Sequence, residues 1–488
     1  MALAAAAHAE SCLRVVTFEW KTPHIIDPAN ILENSDLMHV IPAYEPLVVF
    51  DNDFVVHPWL AESWKVSDDG KEWTFKLHEG VKFHDGAELT ADDVVYSFQR
   101  LIDPATGSQA KSDLSFLKPE DIIAKSKYEV VFKTDHPVAE MPILVAGKQQ
   151  LIVRKGKTHD ELMKESDGTG PYMIASGFKS DSPRTKLVKN PNYWQPGKPY
   201  MDCIEISGVP DPITRMAAIQ SGDADILIAA DATTLPTLQK DPNVALYEAK
   251  NAMMMNFAMQ TDVPPFDDVR VRQALKLVID RPAMTQLVTL GFGSPGNDNP
   301  VPLTSPFAVQ STPEAQDIEK AKSLLAAAGK SDLTVDLYTG ASDLVPGMLA
   351  MVQAYKGMAA EAGITVNVIT TPNGGYWDTI YMKKPFFTAY WWTRHPASSL
   401  SIGYRSDAQY NETHYRHPEF DKLLDDAYAE IDPAKRSDMY KQAEKQLMDD
   451  GGVIIPTFVS VVAAVRKNCT GFVPHIESRV LFQNVKCN

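Results

Sequence analysis

Positive charge is scarce in this chain. Across 488 residues, 47 lysines and arginines face 63 aspartates and glutamates, a formal net charge of −16. That balance argues against nucleic-acid binding, which needs a basic face. Cysteine is scarcer still, at four: Cys12, Cys203, Cys469 and Cys487. None stands in a Cys-x-x-Cys spacing, so the usual zinc and thiol-redox signatures are missing. No apolar run reaches the ~18 residues that a membrane-spanning helix needs. Gly-x-Ser-x-Gly, His-Glu-x-x-His and a Walker lysine loop are also absent, and no two carboxylates are set apart by spacing as acid and base. Neither an enzyme nor a cofactor is expected. Repeats and low-complexity tracts do not occur.

What is present is ordinary for a globular protein, with 44% hydrophobic and 23% charged residues. The length is too great for one core and predicts two or three domains. Residues 1–11 read as the residual tail of a signal peptide, with Ala7-His8-Ala9 as the small-x-small cleavage pattern. Export makes disulfides the expected state of an even cysteine count. Four cysteines allow three pairings, and Cys12–Cys203 with Cys469–Cys487 is the expected one.

Periodicity supplies the elements. Cys12–Phe18 and Thr74–Leu77 read as strands, and Thr90 opens a helix whose apolar side is Val94, Val95 and Phe98. Val271, Ala274, Leu275, Val278 and Ile279 fall at helical spacing after Asp268. Ile318, Ala321, Leu325 and Ala328 form a second stripe closed by Gly329, and Phe420, Leu423, Leu424 and Ala427 form a third. Asp432-Pro433 begins a fourth helix that ends at Gly451-Gly452. Leu333, Val335, Leu337 and then Ile364, Val366, Val368 alternate as strands. Strand and helix alternate after about residue 260, which predicts an α/β fold.

Three local patterns are read as structural. Gly291-Phe292-Gly293-Ser294-Pro295-Gly296 spells a dinucleotide fingerprint but follows a helix, so a loop is expected. His414 and His417 lack the further ligands of a metal site, so a surface turn is expected and no metal. Met253-Met254-Met255 reads as a core strand, with Met255 a candidate for soft, adaptable ligand contact.

His57-Pro58-Trp59-Leu60-Ala61-Glu62-Ser63-Trp64, Gly80-Val81-Lys82-Phe83-His84-Asp85-Gly86 and Leu89-Thr90-Ala91-Asp92-Asp93-Val94 occur in that order. Gly168-Thr169-Gly170-Pro171-Tyr172, Asn190-Pro191-Asn192-Tyr193-Trp194, Arg215–Ile226, Pro265–Leu275 and His417–Leu424 follow. Together they resemble the signature of the family 5 solute-binding proteins, the extracytoplasmic receptors of ABC importers for peptides, nickel chelates and related solutes. The resemblance spans essentially the whole mature chain. It implies a two-lobed periplasmic binding protein fold with a hinge and an interlobe cleft. Lobe one is expected over 12–258 plus 465–488, with about 41–170 as an extra subdomain, and lobe two over 259–464. It also implies a receptor that captures a small molecule and delivers it to an ABC membrane permease; a monomer in the periplasm of a Gram-negative bacterium is expected, and a free one, because no lipobox precedes Cys12.

The stretch Phe386–Tyr404 carries the expected specificity. In the family's peptide binders this region often reads tryptophan, two residues, aspartate, and the aspartate holds the peptide's α-amino group. Here Trp391-Trp392-Thr393-Arg394-His395-Pro396 places Arg394 there or, by a one-residue slip, His395. Neither can hold an ammonium group, whereas arginine grips carboxylate or phosphate bidentately. The expected solute is therefore anionic or N-capped, stacked on Trp391 or Trp392 with Arg394 as counter-ion. Trp20 and Arg405 are further candidates for the same pocket. The alternatives are an ordinary di- or oligopeptide receptor, a nickel-chelate receptor and, at greater distance, a cleft hydrolase.

Overall fold

The computed structural model describes residues 10–17, 23–31, 34–477 and 479–488. The Ala7-His8-Ala9 pattern and Trp20 lie outside the described residues. The chain forms two compact units, residues 1–248 with 462–488, and residues 249–461. Both boundaries fall inside long strands, Val244–Met259 and Val453–Arg466.

In the first unit the strand Cys12–Thr17 lies between Cys203–Gly208 and Ile226–Leu227, parallel to both. Arg184–Lys189 and Tyr172–Ile174 extend the sheet antiparallel. Leu13 and Val15 enter a core with Ile204, Ile206 and Val465, each at most 1% exposed. Cys12 stands opposite Cys203 and Cys469 opposite Cys487, and both pairs are disulfide-bonded. A second, four-stranded sheet runs in the order Ala61–Val66, Glu72–Leu77, Glu129–Lys133, Ile122–Ser126. The helix Ala91–Ile102 packs on it, with Phe98 edge-on to Phe132 at 4.9 Å.

The second unit follows the alternation of its sequence. Its strand order is Thr365–Thr371, Thr334–Gly340, Phe386–Trp392, Val244–Met259, Val453–Arg466. The helices Val269–Leu277, Ile318–Ala327, Pro418–Ala429 and Pro433–Asp450 stand where the apolar stripes predict them. Three of these begin at aspartates, Asp268, Asp317 and Asp432, whose side chains accept first-turn amides.

The segment Gly291–Gly296, expected as a loop, contains a short strand, Gly293–Pro295, antiparallel to Thr457–Val459. A Cβ on Gly293 would lie 2.3 Å from the Phe458 carbonyl oxygen, so the glycine serves close backbone approach rather than a nucleotide.

Candidate functional site

The aromatic strand Phe386–Trp392 pairs antiparallel with the methionine run, Met253 opposite Trp392, Met254 opposite Trp391 and Met255 opposite Tyr390. Opposed residues share a face, and the faces alternate. Met255 is fully buried on one face with Phe257 and Phe386. Met254 and Trp391 point the other way, against Leu400, Tyr404 and Phe420. Trp392, at the strand's end, is 40% exposed. The two adjacent tryptophans therefore divide between packing and solvent.

The chain then turns. Thr393 donates its hydroxyl to the Asn251 carbonyl oxygen at 2.6 Å, and the helix Pro396–Tyr404 starts behind His395. Met254, Trp391, Trp392, Arg394, Tyr404 and Glu412 line a recess of about 10 Å³. That is room for about one water molecule. The recess is thus a shallow corner, not an enclosing cavity.

Arg394 is exposed, with its guanidinium 5.9 Å from the centre of the Trp391 ring. Among the described residues it makes no ion pair. Behind it, Trp391 Nε1 donates to Glu412 Oε1 at 2.7 Å and Asn256 Nδ2 donates to Glu412 Oε2 at 3.0 Å. Glu412 is 2% exposed. Burial pushes its carboxyl up to about 7, against the pull of the Asn256, Trp391 and Tyr381 hydrogen bonds. It is therefore held between charged and neutral at neutral pH, with both oxygens already engaged.

The other sequence candidates lie elsewhere. His395 is buried, caps the helix Pro396–Tyr404 by accepting from the Ala397 amide at 3.4 Å, and meets Phe307 edge-on at 4.8 Å. Arg405 pairs with Asp407 at 2.7 Å and with Asp425. Met255 is core, and its neighbour Met254 reaches the recess instead. His414 and His417 turn to different partners. His414 Nδ1 lies 2.8 Å from Asp262 Oδ1, and His417 Nε2 lies 3.5 Å from Asp450 Oδ2. Sequence reasoning missed Glu412. It sits in Asn411-Glu412-Thr413, which has neither helical nor strand periodicity, so nothing local separates it from a surface acid.

Comparison with known proteins gives this corner its context. Residues 55–413 match the model of the bacterial extracellular solute-binding proteins, family 5. The chain belongs to that family. Among curated relatives, the heme-binding protein A of Haemophilus influenzae is 31% identical over 467 residues, covering 87% of this chain and 83% of that protein. The glutathione-binding protein GsiB of Shigella dysenteriae is 27% identical, covering 88% of this chain and 86% of its own length. Among solved structures, HbpA2 from Haemophilus parasuis superposes with a TM-score of 0.87 at 23% identity, covering 98% of this chain and 100% of that one. The family 5 chain described here is a two-domain α/β binding protein of the periplasmic binding protein type. It is a receptor and not an enzyme: it captures a solute and delivers it to an ABC importer's permease. Among its described residues no helix is long and apolar enough to cross a membrane.

Proposed function

We propose that the solute captured by this receptor is anionic or N-capped, a small peptide-like acid whose carboxylate is held by Arg394 while its body rests on Trp391 or Trp392. The observation that carries this reading is Arg394 itself, a solvent-facing guanidinium beside a tryptophan ring with no ion pair among the described residues. A guanidinium left unpaired next to an aromatic face suits bidentate recognition of a carboxylate. Glu412 does not supply the alternative, a seat for a peptide's ammonium group. It is buried, its oxygens already accept from Trp391 and Asn256, and burial favours its neutral form. Glutathione, the solute in the name of one relative, is a peptide-like acid with two carboxylates, and this chemistry accords with the reading. We take the two compact units as the receptor's two lobes, residues 41–170 as the extra subdomain of the first, and the working form as an unanchored monomer in the periplasm.

The test is a thermal-shift and calorimetry panel on the full chain. It holds glutathione, acyl-capped dipeptides, sugar phosphates, free dipeptides with uncharged side chains, and nickel with histidine. A ligand at about 100 times its Kd raises stability by roughly 2.7 kcal/mol. Anionic or capped compounds are expected to move the midpoint, and Arg394→Ala to cut the shift to about half or less at the same ligand concentration. Equal shifts from uncharged free dipeptides, unchanged in Arg394→Ala, would overturn the proposal.

A further inference from the structure

The first unit contains a much roomier cavity, about 320 Å³. That lies at the lower end of the roughly 300–1,000 Å³ typical of small-molecule sites. Two segments far apart in sequence supply most of its lining, Ile41 to Trp59 and Val473 to Gln483, with Pro171 beside them. Its walls are mainly apolar: Val49, Phe50, Trp59, Pro171, Pro474 and Leu481.

The charged groups at its edge are already engaged with one another. Glu45 accepts from Trp59 Nε1 at 2.9 Å, Trp194 Nε1 at 2.9 Å, the Tyr193 hydroxyl at 2.8 Å and the Thr169 hydroxyl at 2.8 Å. Asp51 pairs with His57 at 2.8 Å. Arg479 pairs with Glu477 at 2.5 Å and donates to the Ala146 carbonyl oxygen at 2.6 Å. One polar side chain on the cavity is not engaged. Gln483 is 3% exposed, and its carboxamide makes no hydrogen bond among the described residues. Its side-chain nitrogen and oxygen are open to the cavity rather than sealed in the core, so a ligand or a water there can meet them.

We infer that this cavity is a second binding site, for an uncharged, mainly apolar small molecule carrying one hydrogen-bonding group that meets the Gln483 carboxamide. A charged ligand would leave water for mainly apolar walls where Glu45, Asp51 and Arg479 are already engaged by other protein groups, at a cost the site does not repay. A neutral ligand removes apolar surface from water and completes the Gln483 hydrogen bond. The site lies wholly in the first unit, whereas the Arg394 corner lies wholly in the second.

The probe is N-phenylnaphthylamine, an uncharged aromatic amine that fluoresces in apolar surroundings, titrated into the full chain. The expected result is saturable binding at one dye per chain, not displaced by glutathione and unchanged in Arg394→Ala. Val49→Trp, which fills the cavity, should weaken the dye at least about tenfold. Leu481→Trp, at a half-buried wall position, gives the same readout if the first variant does not fold. Gln483→Leu should remove the preference for the dye over phenylnaphthalene, which has no N–H group. Unsaturable fluorescence, or binding that both tryptophan variants leave intact, means a water-filled void only and overturns the inference. So does loss of dye binding in Arg394→Ala, which would place the dye at the other corner.

Discussion

Arg394 and Glu412 line the same recess and have opposite exposures, which makes their substitution effects separable. Arg394 reaches solvent and supports no partner, so Arg394→Ala should leave the thermal midpoint unchanged. It should weaken an anionic solute about tenfold to a hundredfold, the worth of a charge-assisted hydrogen bond, as calorimetry would show. Arg394→Lys should recover only part of that affinity, because an ammonium cannot reproduce the guanidinium fork. Glu412 behaves in the reverse way. Glu412→Leu strands the Trp391 and Asn256 donors in a dry site. It should cost about 1–3 kcal/mol in denaturant unfolding. Any loss of affinity would then come through a displaced Trp391, and Glu412→Gln, which keeps an acceptor for Trp391, should restore most of it.

At the scale of elements, the paired strands carry the consequences. The Cys12–Cys203 bond closes a separation of 191 residues and Cys469–Cys487 one of 18. Loop-closure entropy values a short loop at about 3 kcal/mol and a 100-residue loop at about 4.7 kcal/mol. Cys12→Ser should therefore lower the unfolding midpoint in guanidinium more than Cys469→Ser does. Equal losses would show that the closed loop is not what each bond stabilises. Gly293→Ala tests the short strand that replaced an expected loop. The new methyl group meets the Phe458 carbonyl oxygen at 2.3 Å, a contact that must be relieved by backbone movement. Overpacking of this kind costs about 1–3 kcal/mol, measurable by thermal unfolding.

For the whole molecule, three buried glutamates set a pH dependence. Burial raises Glu45 and Glu412 to about 7 and Glu444 to about 8, against the hydrogen bonds that each accepts. In the unfolded chain each returns to the usual value near 4.5. Between those values the folded state holds protons that the unfolded state has released. The stability they contribute is thus complete below about pH 4.5 and is lost as pH rises through 7 to 8. Relative to the parent, a Glu45→Gln, Glu412→Gln, Glu444→Gln variant should gain stability as pH climbs across that window. A pH-independent difference in denaturant midpoints would show that the three carboxyls stay ionised in the fold.

The family, the α/β alternation and the helix starts were legible in the chain alone, because they rest on local signals. Apolar residues three and four apart, an aspartate before a helix and ordered motifs need no knowledge of what lies across the molecule. Arg394 stands out for a local reason too, as an arginine that ends a short aromatic run. The roles of its neighbours were not. His395 became a helix cap, Arg405 an ion-pair partner and Met255 core, while Glu412 emerged as the buried acid behind Trp391. Each of those outcomes is decided by which side chains arrive from elsewhere, such as Asn256 from 156 residues away. The cavity beside Gln483 is the extreme case, walled by segments from the two ends of the chain. Burial, and with it the protonation of a carboxyl or the lack of a partner for an amide, is a property of assembled neighbours. Only the folded chain assembles them.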